Sequence, residues 1–187
     1  DLVVNAAGRV EASGTGETMF VESLTSGLLA SSGLEGLPFQ PTGEGGNLTI
    51  NTGLLSLNDS AQVAVNSLGS GNSGNLEVNA PRVRLDNNAQ LTAAAAFGNG
   101  GNIRLNHLET LVLRRGSVVS TQAGTGDGNG NGGNIAIDAN FVVTNPLENS
   151  DIIAKATQGR GGNIEIETLA LYGIEERRAS AGNDTND

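Results

Sequence analysis

The sequence predicts an all-β chain wound as a parallel β-helix, a solenoid of about six coils with three short strands in each. Three observations lead there. A phrase returns five times, as GGNLTIN at 45–51, SGNLEVN at 73–79, GGNIRLN at 100–106, GGNIAID at 132–138 and GGNIEIE at 161–167, with a weaker copy, DLVVN, at 1–5. Its asparagines, Asn47, Asn75, Asn102, Asn134 and Asn163, follow one another at intervals of 28, 27, 32 and 29 residues, and a fixed period in this range marks stacked repeats. Within each period, apolar and polar residues alternate in three short runs, which is strand periodicity. Helical spacing is absent apart from the charged segment 173–178, which is too short to hold a helix alone.

Each strand follows from its alternation. The first places Leu2/Val4, Leu48/Ile50, Leu76/Val78, Ile103/Leu105, Ile135/Ile137 and Ile164/Ile166 inward. The second contributes Leu55/Leu57, Val83/Leu85, Leu111/Leu113 and Phe141/Val143. The third contributes Leu28/Ala30, Val63/Val65, Leu91/Ala93, Val118/Ser120 and Ile152/Ala154, and its small last column reads as a tight corner. The rival fold, an antiparallel sandwich or barrel, also uses short strands and Gly turns, but it does not require the same turn tripeptide to recur. Stacked coils do. Identical amides bond to the coil above and below, as in the Asn ladders of cross-β stacks, and the preceding Gly pair is expected to supply backbone freedom, including φ > 0. Residues 1–178 read as one β-helix segment and 179–187 as a disordered polar tail, the whole being a segment of a longer protein.

Composition bounds the function. The 187 residues include 28 Gly, four Phe, one Tyr and neither Trp nor Cys, so disulfides and thiolate metal sites are excluded. Ten Lys plus Arg against twenty Asp plus Glu give a net charge of −10, and the longest basic runs are Arg114-Arg115 and Arg177-Arg178. Nucleic acid is therefore not an expected partner, because neutralising phosphates takes basic clusters. No apolar run reaches the length of a transmembrane helix.

The phrases GGNLTINT, DSAQVAV and GNGGNI, within strand–corner–strand repeats, resemble the secreted filamentous-haemagglutinin-like proteins, and in particular the Gly/Asn-rich repeat region of their cyanobacterial members. The resemblance covers nearly all of residues 1–178. It implies a right-handed parallel β-helix, export by two-partner secretion through an outer-membrane partner, a secreted or bacterial cell-surface location, and adhesion to host, cell-surface or matrix glycans or proteins. An amino-terminal secretion domain is not recognisable here.

Several constellations carry candidate chemistry. Asp127, Asn129 and Asn131, with Asp138 eleven residues after Asp127, mimic the spacing of a calcium loop. The strand between them is expected to carry Asp138 away, and no metal or cofactor is expected. His107 lacks companions for zinc and reads as a surface residue. Outward carboxylates raise the question of a glycan-active enzyme, a polysaccharide lyase or hydrolase: Asp138, Glu165 and Glu167 cluster towards the carboxyl end, and Glu77 stands beside Arg104 as an expected cross-strand ion pair. A solvated acidic face is the default explanation, low aromatic content counts further against glycan catalysis, and no residue receives a catalytic role. Met19 and Phe20 lie in one excursion from the repeat and Phe39 in another; they either cover an open edge or form contact loops. The expected function is that of a structural and adhesive segment presenting a long acidic surface, with a glycan-active enzyme and a passive mechanical spacer as the alternatives.

Overall fold

The computed structural model of the chain describes residues 2–13, 15–16, 24–25, 27–32, 42–125 and 128–176. These form a parallel β-solenoid built from two sheets that face each other across a narrow core. The strands are β1 (Leu2–Ser13), β2 (Thr15–Gly16), β3 (Leu24–Thr25), β4 (Gly27–Leu29), β5 (Leu48–Asn58), β6 (Gln62–Ala64), β7 (Leu76–Asn79), β8 (Arg82–Asp86), β9 (Gln90–Thr92), β10 (Ile103–Leu113), β11 (Val118–Ala123), β12 (Ile135–Val143), β13 (Asp151–Ala156) and β14 (Ile164–Tyr172). The first sheet runs β1-β5-β7-β10-β12-β14, with β8 continuing the rung of β7. The second runs β4-β6-β9-β11-β13. Both are parallel throughout; β2 and β3 pair antiparallel as a small separate ribbon. The first sheet thus carries the six expected rungs, and about four complete turns join them.

The expected first and second strands are mostly one bent strand. β5, β10, β12 and β14 each run through the bend, whereas the third rung divides into β7 and β8. Pro81 sits at that break and, having no N–H, cannot donate to the ladder; its carbonyl accepts from the N–H groups of Glu109 and Thr110 instead. A third side has no continuous strand. It is a column of single parallel bridges, Ser32–Ser67–Ala95–Ala123, where small residues let the chain turn.

The core consists of like residues stacked on like. Leu48, Leu76, Ile103 and Ile135 are in register and buried, as are Ile50, Val78, Leu105 and Ile137. Burying each such side chain contributes about 1.5–3 kcal/mol, so the columns are the main source of cohesion. Two assignments differ from the alternation read in sequence. In β11 the inward residues are Val119 and Thr121, which lie in register with Leu91 and Ile152 and with Ala93 and Ala154; Val118 and Ser120 face outward. In β12 the inward residue is Val142, in register with Leu111, and Phe141 points out at 44% exposure. The cause of the second is the bend. Seven residues separate Leu48 from Leu55, Leu76 from Val83 and Ile135 from Val142, an odd step that reverses the alternation counted from the first strand. β10 takes eight, because it holds one residue more than β12 between Leu105 and Leu108, with His107 at φ +60°.

The glycines have a role other than the expected one. None of the Gly-Gly corners has positive φ; among described glycines only Gly116, Gly124 and Gly173 do. What the corners require is absence of a side chain. A Cβ on Gly74, Gly101, Gly133 or Gly162 would lie 2.2, 1.7, 1.9 or 1.9 Å from the carbonyl oxygen of the glycine one coil before it. A second column, Gly43-Gly71-Gly98-Gly130-Gly159, is equally close. Left-handed backbone occurs at the opposite corner, where Asp59/Ser60, Asn87/Asn88 and Arg115/Gly116 stack as three successive pairs with φ between 49° and 76°. These are mostly residue types that tolerate this region through local side-chain hydrogen bonds.

The glycine column generates a prediction. Gly101→Ala is expected to lower stability by about 3 kcal/mol or more, since only backbone could move away. Gly43→Ala, with open space around its Cβ, is expected to stay within about 0.5 kcal/mol of the parent. Urea melts of the three proteins check this; equal midpoints for the two variants would refute the close-approach account.

Candidate functional site

The repeated asparagines form a ladder. The Oδ1 of Asn47 accepts the N–H of Asn75 at 2.9 Å, Asn75 accepts from Asn102 at 3.0 Å, Asn102 from Asn134 at 2.9 Å and Asn134 from Asn163 at 2.9 Å. The side-chain amides of Asn75 and Asn102 also donate one coil back. The ladder lies on the outside of the solenoid, with Asn102 half-buried and the others exposed. Its position follows from register: the Asn precedes an inward Leu or Ile, so alternation turns it out.

Two further ladders escaped the sequence reading. Asn72 accepts from the N–H of Asn99 at 2.9 Å, Asn99 from Asn131 at 2.8 Å and Asn131 from Arg160 at 3.0 Å. On the first sheet, Asn106 donates its amide to Asn79 at 2.9 Å and Asn79 to Asn51 at 2.8 Å. The signal was available: Asn72, Asn99 and Asn131 each lie three residues before a ladder asparagine, and Asn51, Asn79 and Asn106 four after.

These contacts bear on the candidate calcium loop. Asn131 has its Oδ1 engaged with the backbone of the next coil, Asn129 is exposed, and Asp138 is an outward residue of β12 beside Glu167 of β14. Asp127 lies outside the described residues, as do Met19, Phe20 and Phe39 and the segment 179–187. Among the described residues no three His, Cys, Asp or Glu side chains gather so as to hold a metal ion. Glu165 is in register with Ala136, one rung beyond Arg104, so Arg104 and Glu165 bracket a shallow depression of about 310 Å³ over Ala136. The expected pair of Glu77 with Arg104 is not formed. The two are neighbours in register, but Glu77 Oε1 accepts from the amides of Asn79 at 3.1 Å and Asn106 at 3.3 Å.

Charge is instead organised at the left-handed corner. Arg114 grips Glu148 through two bonds of 2.7 Å, and the Arg115 N–H donates to the same carboxylate at 2.8 Å. Arg115 reaches back to Asp86 at 2.8 Å, which also pairs with Arg84. Glu148, from the turn after β12, therefore fastens a corner in which Arg115 holds an unfavourable φ of 49°. The Arg114 hydrogen bonds, followed by the Arg115 N–H, hold the Glu148 carboxyl down from 4.5 to about 2.

The outer face of the second sheet carries a shallow, open depression of about 350 Å³. Thr92, Ser120 and Ile153 lie in register along its middle, with Gln62, Gln90 and Val118 on one side and Asn66, Ala94, Gln122 and Lys155 on the other. Comparison with models of protein families, with curated proteins and with solved structures found no match.

Two predictions follow the ladder and the clamp. Asn102→Leu removes one acceptor and one donor from an outer ladder whose freed partners can reach water, so a loss of about 1–2 kcal/mol is expected in denaturant melts. An unchanged midpoint would mean that the ladder adds nothing to cohesion. Because the folded pKa of Glu148 lies below its unfolded value, its stabilisation is complete above about pH 4.5 and disappears as pH falls towards about 2. Glu148→Gln is therefore expected to flatten the dependence of stability on pH across that window, as followed by acid titration of the melting temperature, and to leave the dependence above it unchanged.

Proposed function

We propose that the chain is a structural and adhesive segment of a secreted or cell-surface bacterial protein of the filamentous-haemagglutinin-like kind, exported with an outer-membrane partner. It holds an extended surface at a distance from the cell. The observation that carries this reading is the use made of outward side chains. Three asparagine ladders tie each coil to the next along the stack, a design that favours mechanical continuity over a local reactive centre. The net charge of −10 and the outward Glu and Asn residues support presentation of a hydrophilic surface.

A glycan-active enzyme is the second reading. It draws on Asp138 and Glu167, outward and in register on adjacent rungs. Rungs lie about 4.8 Å apart, and carboxylates at about 5 Å are those of retaining glycosidases.

One pair of assays separates the readings. A pulled chain is expected to resist force and release about 90–100 Å per coil, the length of one extended repeat. Acidic and neutral polysaccharides incubated with it are expected to yield no new reducing ends. Chain cleavage abolished by Glu167→Gln or Glu165→Gln would overturn the structural reading in favour of the enzyme.

A further inference from the structure

We propose that Asn129 is a site of spontaneous deamidation and isomerisation, and that the second asparagine ladder protects the two other Asn-Gly pairs of the chain from the same reaction. The inference goes beyond the adhesive reading and does not depend on it.

Asn-Gly is the dipeptide most prone to this chemistry, because glycine, with no Cβ, leaves its own nitrogen unobstructed. The sequence has three: Asn99-Gly100, Asn129-Gly130 and Asn131-Gly132. The fold imposes their glycines. A Cβ on Gly100 would lie 2.9 Å from the Gln122 carbonyl oxygen, one on Gly130 1.8 Å from that of Gly98, and one on Gly132 2.8 Å from that of Lys155. The first ladder avoids the hazard differently, since its asparagines are followed by Leu or Ile, whose side chains crowd the attacking nitrogen.

The glycine nitrogen, once it has given its proton to base, attacks the asparagine Cγ. The N–Cγ bond forms, the Cγ–Nδ2 bond breaks, and Nδ2 takes a proton from water and leaves as ammonia. Water then opens the succinimide at either carbonyl. The product is aspartate or, with the main chain rerouted through Cβ and Cγ, isoaspartate. One water has replaced one ammonia, and nothing is oxidised or reduced. Two conditions follow: the glycine N–H must be free to ionise, and Cγ must swing onto it in a near-attack geometry.

At Asn99 and Asn131 both groups are held, each time by one residue of the next coil. Asn99 Oδ1 accepts the Asn131 N–H at 2.8 Å, while the Gly100 N–H donates to the Asn131 carbonyl at 2.9 Å. Asn131 and Gly132 repeat the arrangement with Arg160, at 3.0 and 2.8 Å. The side-chain carbonyl is fixed towards the next coil, and the glycine proton is released only when the rung opens. Asn129 has neither restraint. It is exposed, and among the described residues neither its amide nor the Gly130 N–H makes a hydrogen bond. Gly130 is buried over Gly98, but its N–H has no acceptor to give up. The stacked glycines Gly98, Gly130 and Gly159 follow Phe97, Asn129 and Gln158, so no asparagine ladder passes through this position. Isoaspartate within a ladder would lengthen its rung and break register; the loop before Gly132 already carries surplus residues and absorbs it.

The test incubates the intact chain in mildly alkaline buffer, folded and in unfolding urea. Peptide mapping by mass spectrometry follows aspartate and isoaspartate at each site. In the folded chain Asn129 is expected to convert at least tenfold faster than Asn99 or Asn131, and in urea the three rates are expected to converge. An acidic charge variant is expected to accumulate in the folded parent and to form at least tenfold more slowly in Asn129→Ser. Folded-state conversion of Asn99 or Asn131 at the rate of Asn129 would overturn the protection, and an Asn129 as slow as the other two would overturn the site. Asn99 and Asn131 converting no faster in urea than in the folded chain would also refute it, because local sequence and not the ladder would then set their rates.

Discussion

Everything in this solenoid depends on how closely one coil can approach the next. Parallel rungs must lie about 4.8 Å apart to exchange backbone hydrogen bonds, and at the Gly-Gly corner that spacing brings the Cα of one coil under the carbonyl of another, leaving no room for a Cβ. The glycines set the distance, and the ladders are its consequence. An Asn Oδ1 reaches the N–H one coil away at 2.8–3.0 Å only if register is kept at every turn. The core columns need the same register, because a Leu must meet a Leu and not its neighbour on the other face. Extra residues are therefore admitted mainly at corners. The 32-residue interval places one at the bend of β10, between Leu105 and Leu108, and the rest before Gly132, and the fourth coil turns through 144–150, while pairing resumes on either side.

Much of this was legible in the sequence because a repeat reports each position several times. The architecture, the first-strand columns and the ladder asparagines all recur at a constant offset. What was misread lies at the bend. Strict alternation assigns Phe141 to the core in place of Val142, whereas the seven-residue step from Leu48 to Leu55 and from Leu76 to Val83 would have chosen Val142 from Ile135. Register shifts in β1 and β10 lengthen that step by one and blur it. Val118-Val119 offers two apolar residues where the pattern needs one; the constant six-residue step across the corner, from Leu57 to Val63 and Leu85 to Leu91, would have chosen Val119 from Leu113. The misjudged glycines are of another kind. Glycine is required both for positive φ and for close approach, and composition does not separate the two. Only the stacked partner one coil away does, and a single chain read in one dimension does not display it. Asn131, one residue of the candidate calcium spacing, is part of a ladder, so its place in the sequence follows the period of the fold.

The two sheets differ in how densely their outer faces are paired. On the first, Asn51, Asn79, Asn106 and Glu77 bond to one another, so polar groups there are satisfied within the protein. On the second, the Gln62 amide donates to Thr92 Oγ1 and Asn66 Oδ1 accepts the Ala94 N–H, so coils are tied there too, by single bonds and not by a continuous ladder. Both outer faces therefore add to cohesion between coils.

The last described rung measures what stacking contributes. Ile164 and Leu171 occupy the positions of Ile135 and Val142, yet they are 43% and 42% exposed where their counterparts are 1% and 0%. The residues are comparable and the strand geometry is the same. The difference is that, among the described residues, nothing lies on the far side of β14. Burial in this fold is thus a property of pairs of coils, with nearest-neighbour terms dominating over what one coil achieves alone. Such a chain gains stiffness and surface in proportion to its length, because each added coil buries the face of the one before it.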